Sequence, residues 1–437
     1  SDRWYRGMND VCRIIGVLDN GTEGLTPQAL AYIQTADVVI GGSRVLQLFR
    51  SEYSSQTTQY DLTGQLMQVA EWIQKSLSEN KATVVLASGD PLCHGIGKFI
   101  ISKLGKQQCE VIPNVSSIQL TCARLGLAWQ DIKICSVHSK DAGEWLEGAD
   151  SGHGLYALLQ AIKQHDTVAV LTSPENSPAR IARMLQIEGM AYESVISVVS
   201  NILQENEMIL SALSVDAAAE QEFAGLNVAV IQSKAKRKNT IMFGLADKNF
   251  QQRKPDKGLI TKREVRAVSL ANMQLHRDSV VWDIGAGSGA VGLEAAQLCV
   301  NGHVYAIEKN EADAANALAN KRNMQISNYT LLHSKAPQGM DDWADPDAVF
   351  VGGSGGELVT LIELCLQRLR SNGHLVMNFV TFQNLHTAMD ALKQLKVEWS
   401  ITQLSASRSQ PILDMHRMVA ENPVWIITVK KGEAHVS

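Results

Sequence analysis

Trp282-Asp283-Ile284-Gly285-Ala286-Gly287-Ser288-Gly289-Ala290 is the stretch on which the fold of this chain turns. An apolar run, Val280 to Asp283, leads into it and a helix-forming run to about Leu298 leads out, so it reads as strand, turn and helix. Glycines let a backbone turn tightly and approach a ligand, and the helix that follows presents free N–H groups to that ligand. Glu308 closes the next strand, Gly302 to Glu308, 19 residues beyond Gly289, where an acid that bonds ribose hydroxyls belongs. Gly285, Gly287 and Ala290 also satisfy the loose dinucleotide pattern G-x-G-x-x-G/A, so a nicotinamide or flavin nucleotide stays open, as does a purely structural turn. Asp283 and the third glycine, Gly289, tip the choice away from both.

Outward from this loop the second half continues as an α/β unit. Lys262 to Leu270 is expected to be helical, with Thr261 as N-cap and Glu264 completing a capping box. Ala348 to Val351 and His374 to Phe379 read as strands, with helices Glu357 to Arg370 and Asn384 to Leu395. No helix of useful length fits between Trp399–Leu404 and Val424–Val429, so these two should pair as an antiparallel edge. The first half alternates in the same way: strands Cys12–Val17, Asp37–Ile40, Ala82–Ala87, Glu110–Ile112, Ile132–Val137 and Thr167–Leu171, with helices opening at Thr26-Pro27 and over Leu62–Leu77 and Pro178–Gln186. Such alternation implies parallel sheets covered by helices. After a strand at Asn227–Ile231 comes Ser233-Lys-Ala-Lys-Arg-Lys-Asn239 and then a polar stretch to Gly258. The domains are therefore read as 8–232 and 258–437, with 233–257 as linker. Lys234, Lys236, Arg237 and Lys238 fit a solvated linker better than a nucleic-acid patch.

The chain's 437 residues suit two or three domains, and 45% hydrophobic with 19% charged residues and 10 prolines is a globular composition. No stretch approaches the roughly 18–20 apolar residues that cross a bilayer, and the start lacks a signal pattern, so a cytoplasmic protein off the membrane is expected. Met8 is a natural start, which makes Ser1 to Gly7 a possible leader. Seven cysteines, never in a CxxC pair, are expected as reduced thiols and not as metal ligands. A net charge of −5 argues against nucleic acid as the main partner.

The first half carries its own constellation. Ala87-Ser88-Gly89-Asp90-Pro91-Leu92-Cys93-His94-Gly95-Ile96-Gly97 ends a strand and starts a helix. It is joined by Gly16-Val17-Leu18-Asp19-Asn20-Gly21, Ile40-Gly41-Gly42-Ser43-Arg44 and Pro113-Asn114-Val115-Ser116-Ser117-Ile118-Gln119-Leu120. His94 and His138 read as satisfied residues and not as proton carriers.

These segments, in this order, resemble the tetrapyrrole (corrin and porphyrin) methylase family, whose two subdomains bind S-adenosylmethionine between them. The G-G-S-R and P-x-x-S-S-I-Q-L pieces resemble its precorrin-6Y branch. The first loop departs from that family's G-x-G-x-x-G, having Leu18 at the second glycine. The D-x-G-x-G-x-G spelling at Asp283 resembles motif I of the seven-stranded S-adenosylmethionine methyltransferases. With Thr261-Lys-Arg-Glu-Val-Arg266 before it and Val351-Gly352-Gly353-Ser354-Gly355-Gly356 after it, it is similar to the decarboxylating methylases of cobalamin (vitamin B12) biosynthesis.

The resemblance implies a fused enzyme: an N-terminal tetrapyrrole-methylase pair of α/β subdomains, then a seven-stranded Rossmann-like methyltransferase domain. Its implied activity is methylation of precorrin-6Y or its cobalt form at two meso positions, with decarboxylation of the ring C acetate. S-adenosylmethionine is the implied cofactor, one site per domain. The residues carried over are Gly16, Gly89, Asp90, Pro91, Gly95, Ser116 and Ser117 in the first half, and Thr261, Gly285, Ala286, Gly287, Ser288, Gly289, Glu308 and Ala336 in the second. Where the family has G-D-A-P, this chain has Ser334-Lys335-Ala336-Pro337. The tetrapyrrole is expected to be the partner, in a homo-oligomer, with its carboxylates met by Lys262, Arg263, Arg266 or Arg124. No catalytic nucleophile is assigned, because methyl transfer asks chiefly for in-line positioning. Two other readings stay open: a nucleic-acid methyltransferase using the basic linker, and a non-catalytic S-adenosylmethionine-binding regulator.

Overall fold

The structure is a computed structural model that describes residues 9–138, 140–223, 225–234, 241–253 and 260–432. The expectations that rest on Met8, on Lys236 to Lys238 and on residues 254–259 lie outside it. Internal contacts divide the chain into two units, Ser1–Trp145 with Ala161–Arg237, and Leu146–Gln160 with Lys238–Ser437.

The first unit holds two five-stranded sheets. One runs in the order Thr58–Asp61, Val38–Gly41, Thr83–Ser88, Cys12–Val17, Cys109–Ile112, parallel throughout. Its interior strand Cys12–Val17, Cys-Arg-Ile-Ile-Gly-Val, is buried at every position because helices cover both faces. Pro27–Gln34 starts as expected: Thr26 Oγ1 accepts from Ala29 N at 3.2 Å, with Pro27 at the first helical position.

The second sheet corrects the expectation of parallel strands. Its order is Lys133–Ser136, Thr167–Leu171, Asn227–Ser233, Ser194–Ser200, Met208–Ser214, and only the first pair is parallel. Seven residues separate Ser194–Ser200 from Met208–Ser214, too few for a crossover, so the chain folds back as a hairpin. Leu62–Leu77 is also interrupted, a short 3₁₀ turn at Leu66–Gln68 preceding the helix Val69–Ser78.

In the second unit a seven-stranded sheet runs Tyr329–His333, His303–Glu308, Val280–Ile284, Ala348–Val351, His374–Phe379, Val424–Lys430, Trp399–Leu404. The first five are parallel and the last two antiparallel, the edge the sequence led us to expect. A two-stranded ribbon, Ser407–Ile412 with Met415–Ala420, was not expected. Among the described residues no helix is long and apolar enough to cross a membrane.

The polar stretch read as linker is in part structural. Phe250 is buried in a cluster with Ile260 and Ala290, and Leu245 packs against it. Leu245 N donates to Glu294 at 2.7 Å, so residues 245–252 are bound into the second unit.

Candidate cofactor crevices in each unit

In the second sheet of parallel strands the order reverses between Val280–Ile284 and Ala348–Val351, and a crevice at the carboxyl ends of such strands is where α/β folds bind ligands. Three glycines at this point have positive φ: Gly285 at 72°, Gly287 at 56° and Gly289 at 80°. Their surroundings assign them different tasks. A Cβ on Gly285 would lie 2.5 Å from the carbonyl oxygen of Gly353, so this glycine lets two loops touch. A Cβ on Gly289 would meet Ala317 Cβ and Tyr329 Oη, each at 3.1 Å. Gly287 alone of the three faces open space, with nothing within 4 Å of where a side chain would start. That is the cradle a ligand's backbone-close approach requires.

Glu308 is fixed by the same loop. Its Oε2 accepts from Gly287 N at 2.8 Å and its Oε1 from Asn310 N at 2.8 Å. Asn320, only 1% exposed, donates to the Ser288 carbonyl at 2.8 Å and exchanges two hydrogen bonds with the backbone of Gln251. The segment before the unit is thereby stitched to the glycine loop. Ala336 packs beside the core cluster that contains Ile307 and Val351.

The capping box expected at Thr261 is not present. The helix is Arg263–Asn272, its N-cap is Lys262, and no side chain caps it. Glu264 instead holds Arg408, with Oε1 3.2 Å from its Nε, while the Thr261 carbonyl accepts from Arg266 Nη1 at 2.7 Å. Arg266 is not a rim residue either. It is fully buried, paired with Glu294 and Asp247 and bonded to the Leu245 carbonyl, with its guanidinium 4.9 Å from the Phe250 ring. Helix Ala290–Leu298 is apolar apart from Glu294 and Gln297, and a carboxylate buried there needs this cation. Lys262 and Arg263 line, with Lys248 and Arg408, an open cleft of about 400 Å³.

Asp283 lies under the loop, 1% exposed. Its Oδ2 accepts from Gly292 N at 3.0 Å, while its Oδ1 and the hydroxyl of Tyr329 have no hydrogen-bond partner among the described residues. Burial, reinforced by the charge of Glu308, pushes its carboxyl up to about 7 against the bond from Gly292. The native state thus holds a proton that the unfolded chain, near 3.8, releases. This group's contribution to stability falls as pH rises through that window and is lost above 7. Asp283→Asn keeps the shape and removes the charge. The variant's melting temperature relative to wild type is expected to rise between pH 5 and pH 8, and a constant difference would show that Asp283 is ionised throughout.

In the first unit the glycine-bearing loops follow the neighbouring parallel strands Cys12–Val17 and Thr83–Ser88. A Cβ on Gly16 would stand 2.3 Å from the Gly89 carbonyl oxygen and 2.8 Å from Asn114 Cβ. Asn114 Nδ2 donates to the carbonyls of Gly16 at 3.0 Å and Gly24 at 2.9 Å, locking these loops together. Leu18, at the missing second glycine, sits where a Gly24 Cβ would come within 3.0 Å of it. Gly89, φ 69°, abuts Ser116. Asp90 accepts from Leu92 N at 2.8 Å, and Pro91 O would lie 2.6 Å from a Cβ on Gly95. Ser116 N-caps the helix that begins at Ser117 and, with Gln119, forms a capping box.

Sequence reasoning missed Asp19, Arg44 and Gln204. Arg44 pairs with Asp19 and reaches Ser88 Oγ at 3.3 Å, and Gln204 Nε2, from the second sheet's hairpin, donates to Asp19 at 3.0 Å. The break in the glycine pattern at Leu18-Asp19 was their one signal. Arg124, a candidate for substrate carboxylates, is held by both oxygens of Glu207.

Residues 12–217 match the Tetrapyrrole (Corrin/Porphyrin) Methylases, and residues 254–431 match a family described as Precorrin methyltransferase domain. A precorrin-6Y C(5,15)-methyltransferase [decarboxylating] of Sinorhizobium sp is 28% identical over 428 residues, 96% of each chain. The halves also match separate proteins. The cobalt-precorrin-6B C(15)-methyltransferase (decarboxylating) of Salmonella typhimurium is 38% identical over 178 residues, 40% of this chain and 92% of that one. A probable cobalt-precorrin-7 C(5)-methyltransferase of Methanocaldococcus jannaschii is 31% identical over 222 residues, 50% of this chain and 96% of its own. The chain belongs to the decarboxylating precorrin-6Y C5,15-methyltransferase family. Membership in that family accounts for two glycine-rich loop clusters on sheets of different topology in one chain.

Proposed function

We propose that the chain methylates a precorrin-6Y-type tetrapyrrole at two meso positions and removes the carboxylate of its ring C acetate, in cobalamin biosynthesis. The first unit acts at position 5. The second acts at position 15 and decarboxylates. The observation that supports this reading is that each unit gathers its own glycine loops at the ends of parallel strands and that each activity has a shorter relative of its own. The two activities are assigned to residues on either side of 233–257.

S-adenosylmethionine supplies an electrophilic methyl group on a sulfonium. In the second unit Gly287 leaves room for it, Glu308 offers carboxylate oxygens to ribose hydroxyls, and Thr261, Ala286, Ser288 and Ala336 complete the cradle. In the first, Gly16, Gly89, Asp90, Pro91, Gly95, Ser116 and Ser117 take that role. The residues bind and orient, so no side-chain nucleophile is asked for. The conjugated macrocycle takes up the charge that loss of CO2 leaves behind.

The test is turnover with a labelled methyl donor against two acceptors. Transfer to the tetrapyrrole with release of CO2 supports the reading, and transfer to RNA alone refutes it.

A further inference from the structure

A tetrapyrrole carrying several carboxylates is oriented by cations at the mouth of the crevice, since the carbon that receives the methyl must reach inward while the periphery stays outside. In the second unit Arg266, one of the expected anchors, is already engaged, and so is Arg408. Arg266 is buried in its own pairs, and Arg408 is bound by Glu264 and Asp247. Two lysines remain at the carboxyl ends of the strands beside the glycine loop. Lys309 follows Glu308 directly, and Lys335 lies two residues beyond strand Tyr329–His333.

Both converge on the Gly352–Gly356 loop, the loop whose Gly353 backbone touches Gly285. A Cβ on Gly355 would lie 3.7 Å from Lys309 Nζ and 3.7 Å from Lys335 Cε. Gly355 and Gly356 take φ of 59° and 91°, so the loop runs past the lysines without side chains between. Lys309 takes part in no ion pair among the described residues. Lys335 pairs with Glu357 at 3.0 Å, with the two side chains 52% and 42% exposed. A pair so open to water is weak and exchangeable. Lys335 also stands where the resembling family carries Asp, so the charge at this point is reversed in this chain.

We propose that Lys309 and Lys335, with the Gly352–Gly356 loop, form a carboxylate-binding subsite that orients the tetrapyrrole on the second unit. Lys335 exchanges Glu357 for the incoming carboxylate. The anchored group is a peripheral side chain other than the acetate that leaves, because pairing a carboxylate with ammonium groups stabilises its charged ground state and slows loss of CO2. The inference rests on the function proposed above and adds which residues read the substrate.

The experiment uses the full chain with Lys309→Ala, Lys335→Ala, the double variant and the double Lys→Arg variant. It follows methylation at position 15, CO2 release, methylation at position 5 and S-adenosylmethionine affinity. For the double alanine variant, KM for the tetrapyrrole in the second reaction is expected to rise about 10–100-fold, the loss of hydrogen bonds to charged groups. Its kcat, its cofactor affinity and the position 5 reaction are expected to stay within about twofold, and the arginine variant to recover most of the loss. An unchanged KM overturns the subsite. So does a fall in cofactor affinity with KM for the tetrapyrrole unmoved, which would make the lysines cofactor ligands. A wild type inactive on the tetrapyrrole overturns the proposed function itself, and this inference with it.

Discussion

Arg266→Ala is expected to destabilise the second unit by about 3–5 kcal/mol, the cost of leaving a buried carboxylate without its cation. Glu294 is 0% exposed and has Arg266 as its charged partner. Asp247 is not orphaned, because Arg408 still holds it at 2.7 Å. Two backbone carbonyls, Leu245 and Thr261, lose a donor as well. For a unit of this size the loss corresponds to a fall in melting temperature of about 10 °C. The double variant Arg266→Met with Glu294→Leu removes both charges and should recover most of the loss, because a buried pair replaced by apolar side chains is often neutral. Calorimetry on the full chain reads the effect as a shift of one transition. If Arg266→Ala melts like wild type, the pair carries no weight in stability.

Gly287→Val should remove cofactor binding at the second unit while sparing its fold. A valine at φ 56° is strained, by roughly 1–3 kcal/mol, but its Cβ would have nothing within 4 Å. The branched methyls occupy the cradle itself. Titration with S-adenosylmethionine is expected to give about two sites per wild-type chain and one for the variant. Gly285→Val, whose Cβ would strike the Gly353 backbone at 2.5 Å, should instead unfold the loop and lower stability as well. Two sites retained in Gly287→Val would place the cofactor away from this loop.

How much of this was legible in the sequence depended on how local the cause was. The glycine loop, the closing antiparallel pair and the Thr26-Pro27 helix start are each set by residues within a few positions of one another, and each appears as read. Thr261 and Glu264 satisfied the same local capping pattern as Ser116 and Gln119, yet only the second forms. Arg408, 144 residues away, claims Glu264, and no local pattern contains that competitor. Arg266 read as a candidate for substrate carboxylates because Glu294, its reason for burial, lies on another helix. Residues 245–252 read as linker from their polarity, whereas two apolar positions, Leu245 and Phe250, decide their docking. Asp19 and Arg44 were hidden for the same reason, their partners Ser88 and Gln204 being distant in sequence.

If the two units divide the chemistry between them, the products made by Gly287→Val show it. Mass spectrometry of the tetrapyrrole after exhaustive reaction, with CO2 trapped from the same vessel, reads both activities at once. Wild type is expected to add two methyl groups and release one CO2 per tetrapyrrole. The variant should add a single methyl group, at position 5, and release none. A variant that still releases CO2, or one that loses both methylations while remaining folded, would contradict the division of labour.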